Sequence, residues 1–210
     1  MKRAQPSFRF YRWAHRISRA LLSIFFRFEF RGRERIPAGA AMICSNHSSL
    51  IDPLLLAYAF GVGCYIHFLA KKELFETPVV SFVVIKLGAI SVNRDMMDVS
   101  AIKRTLEYFK NGEKVGIFPE GTRVSEAEHV AAKNGAVKIA DRAEVPLIPV
   151  FIPRRKKFFS KLSVVIGEPY YIESNGGKRS SEEYSQLAEA LMGKIEALGS
   201  NSNSTGAGFS

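Results

Sequence analysis

Acidic side chains are nearly missing from the first 35 residues, which hold Lys2 and nine arginines against only Glu29 and Glu34, a net of +8. Residues 36–210 carry 20 basic against 18 acidic side chains, so the basic character belongs to the N-terminal segment and not to the body of the chain. Cysteine is also scarce. Cys44 and Cys64 lie in apolar stretches with no Cys or His at ligand spacing, which points to buried, reduced thiols rather than a disulfide framework or a metal site. No His/Asp/Glu cluster has metal-binding spacing. Residues 116–123 lack the Lys-Ser/Thr of a phosphate-binding P-loop, and no Ser or Cys stands in a nucleophile-elbow context. The apolar residues of 50–70 are interrupted by Asp52, Pro53 and two glycines, so no transmembrane span is expected there. Arginines also interrupt the N-terminal apolar residues, which argues against a secretory signal and for the cytosol or the cytosolic face of a membrane.

What the N-terminus does contain is helical periodicity over residues 7–28. At about 100° per residue, Arg9, Arg12, Arg16, Arg19, Ser23 and Arg27 share one stripe, and Phe10, Ala14, Ile17, Leu21, Phe25 and Phe28 the opposite one. A basic amphipathic helix rich in large aromatics suits a membrane interface, its arginines meeting lipid phosphates. The alternative is a helix that packs its apolar stripe on the domain core. A helix that tracks nucleic-acid phosphates would not need this breadth of Phe and Leu, so no nucleic-acid partner is expected.

Beyond it, short apolar runs alternate with helical patterns. A short strand and turn are expected at 29–37 and strands at 40–45, 64–70, 88–94, 115–118, 145–152 and 162–167, with helices at 53–60, 78–86, 98–111, 131–142 and 181–198. Residues 154–159, Arg-Arg-Lys-Lys-Phe-Phe, read as a solvated loop or a second membrane contact. Pro78–Lys86 is apolar enough for one side to touch lipid. Residues 200–210 are Ser/Asn/Gly-rich and read as disordered. The expected organisation is a basic amphipathic membrane-binding helix at 1–28, one α/β domain at 29–199 and a tail at 200–210. The domain should hold a mixed, mostly parallel sheet flanked by helices.

Within this frame His47 and Asp52 stand out, five residues apart between the 40–45 strand and the next helix. Asp52 before Pro53 has the form of an N-cap, which by itself would explain the carboxylate. Alternatively Asp52 folds back on one imidazole nitrogen and leaves the other free to take a proton. Arg94 and the Glu120–Arg123 segment lie at other strand ends, and groups at the carboxyl ends of strands in one sheet share a crevice. A base without its own nucleophile implies that the substrate supplies one, such as a hydroxyl. The arginines beside it suggest an anionic substrate, phosphate being the natural ligand of a guanidinium fork.

Four segments occur together: Asn46-His47-x4-Asp52, Gly88-Ala-Ile-Ser-Val-Asn-Arg94, Phe118-Pro-Glu-Gly-Thr-Arg123 and Val145-Pro-Leu-Ile-Pro149-Val. In order and spacing they resemble the four blocks of the glycerolipid acyltransferases, most nearly the 1-acyl-sn-glycerol-3-phosphate acyltransferases. The resemblance spans residues 29–170. It departs after Arg123, where Val124 precedes Ser125 instead of Ser following directly. The resemblance implies transfer of a fatty acyl group from acyl-CoA or acyl-carrier protein to lysophosphatidic acid, giving phosphatidic acid. It implies His47 as general base and Asp52 as its orienting partner. Arg94, Glu120, Gly121, Thr122 and Arg123 would bind the acceptor's phosphate and glycerol, Lys71 would be a further phosphate contact, and Pro149 would shape the site. No metal or cofactor is implied, because the acyl thioester is a substrate. The partners implied are an anionic membrane surface, lysophosphatidic acid and the acyl donor, with the enzyme peripheral or monotopic on the cytosolic face. Two alternatives remain open from sequence. One is the same chemistry on glycerol 3-phosphate, another lysophospholipid or an amine-bearing lipid. The other is a non-catalytic phospholipid-binding protein.

Overall fold

The structure, a computed structural model, describes residues 6–93, 98–124, 130–173 and 176–204. Seven strands form one sheet: β1 (Arg27–Arg31), β2 (Ala41–Ser45), β3 (Ile66–Lys71), β4 (Ile90–Val92), β5 (Lys114–Ile117), β6 (Leu147–Phe151) and β7 (Lys161–Ile166). Their spatial order is β1-β7-β6-β2-β5-β3-β4, and only the β6–β7 pairing is antiparallel. The helices are α1 (Phe8–Ser23), α2 (Asp52–Phe60), α3 (Pro78–Lys86), α4 (Val99–Lys110), α5 (Gly135–Ala143) and α6 (Ser181–Ser204). The fold is thus one α/β domain with a mostly parallel sheet, as the alternation of patterns required.

Central strands of such a sheet are covered on both faces, so they read as continuous apolar runs. All five residues of β2 are buried. Successive side chains point to opposite faces. Ala41 and Ile43 pack with Leu55, Tyr58 and Ile148 on one side, while Met42 and Cys44 pack with Phe109, Val137 and Leu191 on the other. Each large aliphatic buried this way contributes about 1.5–3 kcal/mol. Because β2, β5 and β6 run parallel and side by side, their carboxyl ends deliver three loops to the same edge.

Three expectations need correction. The helix expected over 7–28 ends at Ser23, and Phe28 is already in β1, paired with Leu162 of β7. The sheet ladder takes the Phe-rich end because Phe26, Phe28 and Phe30 find aromatic and core partners there. The strand expected at 88–94 is only Ile90–Val92, and Arg94 lies outside the described residues. Helix α6 runs through Ser204, into the stretch read as a disordered tail; residues 205–210 are outside the described residues.

Helix α1 meets the domain with a face that the two-stripe reading did not single out. Tyr11 and His15 are buried. Tyr11 Oη donates to the Cys64 carbonyl at 2.9 Å, a ring nitrogen of His15 lies 3.3 Å from the Ala57 carbonyl, and Tyr58 Oη donates to Ser18 Oγ at 2.8 Å. The apolar row Trp13, Ile17, Leu21 and Ile24 stays exposed. Beside it, α3 buries none of its residues, and Val79, Val80, Phe82 and Val83 face outward. The two helices are joined where the Ser7 amide donates to the Lys86 carbonyl and the rings of Phe10 and Phe82 meet edge to face. At the other end of α1, Phe25 meets Phe158, and both are exposed. No helix among the described residues is long and apolar enough to cross a membrane.

Candidate active site

His47 sits two residues past β2. Its Nδ1 lies 2.9 Å from Asp52 Oδ2. The same oxygen accepts from the amides of Ser48 and Ser49, each at 2.7 Å. The cap reading of Asp52 is therefore corrected. Asp52 is the first residue of α2, and its carboxylate turns back onto the 47–49 turn rather than forward onto helix amides. Three donors on one oxygen fix the carboxylate, and a carboxylate can only accept, so Nδ1 carries a hydrogen; in the neutral ring the lone pair is then on Nε2. The imidazole stacks on Phe118, with ring centres 4.1 Å apart and planes 18° off parallel, and Phe118 lies nearly parallel to Phe68. A side chain at Gly116 would collide with the Phe68 ring at 2.7 Å, so a glycine in β5 is what lets these rings pass.

Asp52 is fully buried. Burial works to raise its carboxyl, but the bonds from His47, Lys156 and the Ser48 amide outweigh it and hold the carboxyl below its ordinary value. Cys44, three residues before His47, is not a rival nucleophile, because burial pushes its thiol up and keeps it protonated. Both cysteines are free thiols.

The loop after β5 grips His47 by its own backbone. The His47 amide donates to Glu120 Oε2 at 2.6 Å, and the Val124 amide donates to the His47 carbonyl at 2.8 Å. Between these two anchors, Gly121 takes a left-handed φ of 68°, and Thr122 and Arg123 are exposed. Gly121 also leaves room for the stem of Lys133, which a Cβ would meet at 2.9 Å. Glu120 itself is buried, with Oε2 on His47 and Oε1 paired to Arg154 at 2.6 Å. Its carboxylate is committed to the protein on both oxygens, a bracing position rather than one open to an acceptor. Lys71 ends β3 exposed and paired with Glu73 at 3.4 Å. Arg94, expected at the neighbouring strand end, cannot be placed among the described residues.

Two groups of the basic run 154–159, expected as a solvated loop or a second membrane contact, belong to this site. Arg154 bridges Glu120 and Glu196 of α6 and donates to the Val124 carbonyl. Lys156 reaches Asp52 Oδ1 at 2.9 Å. The signal was present, since the basic run begins just after a buried strand and so must emerge at the same sheet edge as His47. Asn46, also fully buried, gives both ends of its amide to Ile152, donating to its carbonyl at 2.7 Å and accepting from its amide at 2.8 Å. It ties the end of β2 to the end of β6.

A cavity of about 370 Å³ is lined in part by Phe118, Pro119 and Gly121. Leu69, Val92, Ala101, Ile102, Ile117 and Ile139 give it mostly apolar walls. The site therefore combines a carboxylate-oriented base, an exposed arginine on a loop fixed to that base, and apolar space next to it.

The chain is similar to known proteins. The acyltransferase family model matches residues 27–153. A 1-acyl-sn-glycerol-3-phosphate acyltransferase of Bacillus subtilis is 34% identical over 197 residues, covering 90% of this chain and 96% of its own. One of Borreliella burgdorferi is 34% identical over 133 residues, covering 62% of this chain and 52% of its own. Among solved structures, the 1-acyl-sn-glycerophosphate (LPA) acyltransferase PlsC of Thermotoga maritima is similar, with a TM-score of 0.66 at 25% identity. That similarity covers 97% of this chain and 81% of that one. With a matching family model over most of the domain, a relative aligned nearly end to end and the same fold, the chain belongs to the acyltransferase family.

Proposed function

We propose that the protein transfers a fatty acyl group from an acyl thioester, acyl-CoA or acyl-carrier protein, to the free hydroxyl of 1-acyl-sn-glycerol 3-phosphate, forming phosphatidic acid. The observation that carries this reading is the 2.9 Å contact of His47 Nδ1 with Asp52, which leaves Nε2 as a base with no described residue bonded to it. Nε2 takes the acceptor's hydroxyl proton as the oxygen attacks the thioester carbonyl. The tetrahedral intermediate collapses with loss of the C–S bond, and the thiolate recovers the proton from the imidazolium, which Asp52 stabilises throughout. Such base assistance is worth about 10²–10⁴ in rate. Arg123 and Thr122, exposed on the loop anchored to His47, meet the acceptor's phosphate and glycerol, with Lys71 contributing from the end of β3 and Arg94 as a further phosphate contact. Glu120 and Gly121 set that loop. The apolar cavity lined in part by Phe118 receives acyl chain. The names of the relatives support this acceptor over others.

The enzyme works at an anionic membrane surface, on its cytosolic face. The exposed row of α1, the outward face of α3 and the Phe158–Phe159 pair present large apolar side chains, with Arg9, Arg12, Arg16 and Arg19 exposed among them. This is the composition of an interfacial contact. Leu50, within the His47–Asp52 turn, is 75% exposed and carries that apolar character to the site itself.

The test is an acceptor panel. Purified protein is incubated with palmitoyl-CoA or palmitoyl-carrier protein and with lysophosphatidic acid, glycerol 3-phosphate, lysophosphatidylcholine or lysophosphatidylethanolamine, and thiol release and lipid product are followed. Phosphatidic acid from lysophosphatidic acid is the expected main product. Faster turnover of another acceptor would reassign the substrate, and no thiol release with any would remove the catalytic reading.

A further inference from the structure

The basic run after β6 does not act as a unit. Arg155 and Lys157 are exposed, whereas the side chain of Lys156 is only 7% exposed. Its Nζ lies 2.9 Å from Asp52 Oδ1 and donates to Ser48 Oγ and to the Pro153 carbonyl, each at 2.8 Å. Two of the ammonium's three hydrogens go to Ser48 and Pro153, and its charge lies against Asp52 Oδ1 as an ion pair. Lys156 is thus turned inward, its charge against Asp52 and the Ser48 hydroxyl of the turn that carries His47.

The two oxygens of Asp52 are divided between His47 and Lys156. Oδ2 serves His47 and the amides of Ser48 and Ser49, and Oδ1 serves Lys156. We propose that Lys156 is a positioning residue of the His47–Asp52 pair: it holds the far oxygen of the carboxylate and, as a standing positive charge on it, keeps His47 in the free-base form that proton abstraction needs. This rests on the reading of His47 as the general base. A lone buried carboxylate next to an imidazole draws a proton onto the ring, and a protonated ring cannot act as a base. With Lys156 already sharing the charge, the imidazolium meets a partly neutralised partner and a like charge across it. The neighbouring charges do not duplicate this effect. Glu120, on the backbone side of His47, is paired to Arg154, which also holds Glu196 of α6. Arg123 is exposed on the loop after β5, and the stem of Lys133 lies against Gly121 in that loop.

The experiment compares the full chain in detergent micelles as wild type, Lys156→Gln, Lys156→Met and Lys156→Arg. Histidine labelled with ¹³C at Cε1 reports the His47 titration by NMR, assigned with a His47 variant. The acid limb of kcat/KM for lysophosphatidic acid is measured in parallel. In either neutral variant both midpoints are expected to rise by on the order of one pH unit, and arginine is expected to return them toward wild type. Two neutral variants are included because one of them can fail to fold. An unmoved His47 titration in a folded neutral variant overturns the proposal, even if its rate falls, since a merely structural lysine would lower the rate at every pH alike. If the titration moves but the acid limb does not, the hold of Lys156 on the pair stands and the reading of His47 as base falls.

Discussion

The amide of His47 donates to the carboxylate of Glu120 at 2.6 Å, so the histidine is held through its main chain by a residue 73 positions away. Together with the Val124 amide on the His47 carbonyl, this makes the loop after β5 a clamp whose exposed middle is Thr122 and Arg123. Placement of His47 and placement of the loop that presents Arg123 are therefore one structural event.

Replacing Glu120 by Ala should release this clamp. It leaves the His47 amide and one side of Arg154 without a partner, at a cost of about 2–3 kcal/mol in stability, read by urea unfolding. Glu120→Gln keeps an acceptor for the amide and should cost less. In both variants kcat should fall while KM for the acceptor changes little, since the carboxylate faces the protein. A large rise in acceptor KM with unchanged stability would instead mark Glu120 as a substrate ligand.

Asp52 predicts a pH dependence. A carboxyl held below its unfolded value stabilises the fold at every pH above that value, about 3.9, and loses this contribution as pH falls through its folded value. Wild type should therefore exceed Asp52→Asn in unfolding free energy at pH 7, and the gap should close progressively below about pH 4. A gap that stays constant from pH 7 to pH 3 would contradict the charge-based account.

Much of this was legible because parallel sheets impose strict patterns. The continuous apolar run of β2, the polar turn that follows it and the helix signal at Pro53 mark the positions of His47 and Asp52 in the sequence. The alternation of elements gave the fold class. Partner choice at long range was not legible. Glu120 looked like a substrate ligand next to Arg123, but its actual cation is Arg154, brought in by β6 from 34 residues on. Periodicity likewise marked α1 as amphipathic with two faces. It could not show that Tyr11 and His15 form a third, docking face, because that depends on carbonyls of Ala57 and Cys64 in another helix and its following loop.

Asn46→Ala should destabilise the protein by about 1–3 kcal/mol, because it leaves a buried amide and carbonyl of Ile152 unpaired. Denaturant titration measures it. The variant should also lose activity beyond its loss of folded protein, since the ends of β2 and β6 carry the His47 turn and the Lys156 loop. A fully active, equally stable Asn46→Ala would show that this tie positions nothing.

Membrane docking is best tested on exposed side chains, because deleting α1 would uncover Tyr58 and its neighbours. Trp13→Glu with Leu21→Glu, or Phe82→Glu alone, should lower sedimentation with anionic vesicles while leaving the melting temperature near wild type. Binding by the arginine row should weaken as salt is raised. Vesicle binding unchanged by these substitutions would assign the apolar shoulder to some other contact.

The most direct measurement is thiol release from palmitoyl-CoA with lysophosphatidic acid by His47→Ala, alongside its circular dichroism and melting curve. With Nε2 as the base, the folded variant should lose transfer by about 10²–10⁴-fold. Turnover near the wild-type rate in a folded His47→Ala would contradict the assignment of His47 as the group that activates the lipid hydroxyl.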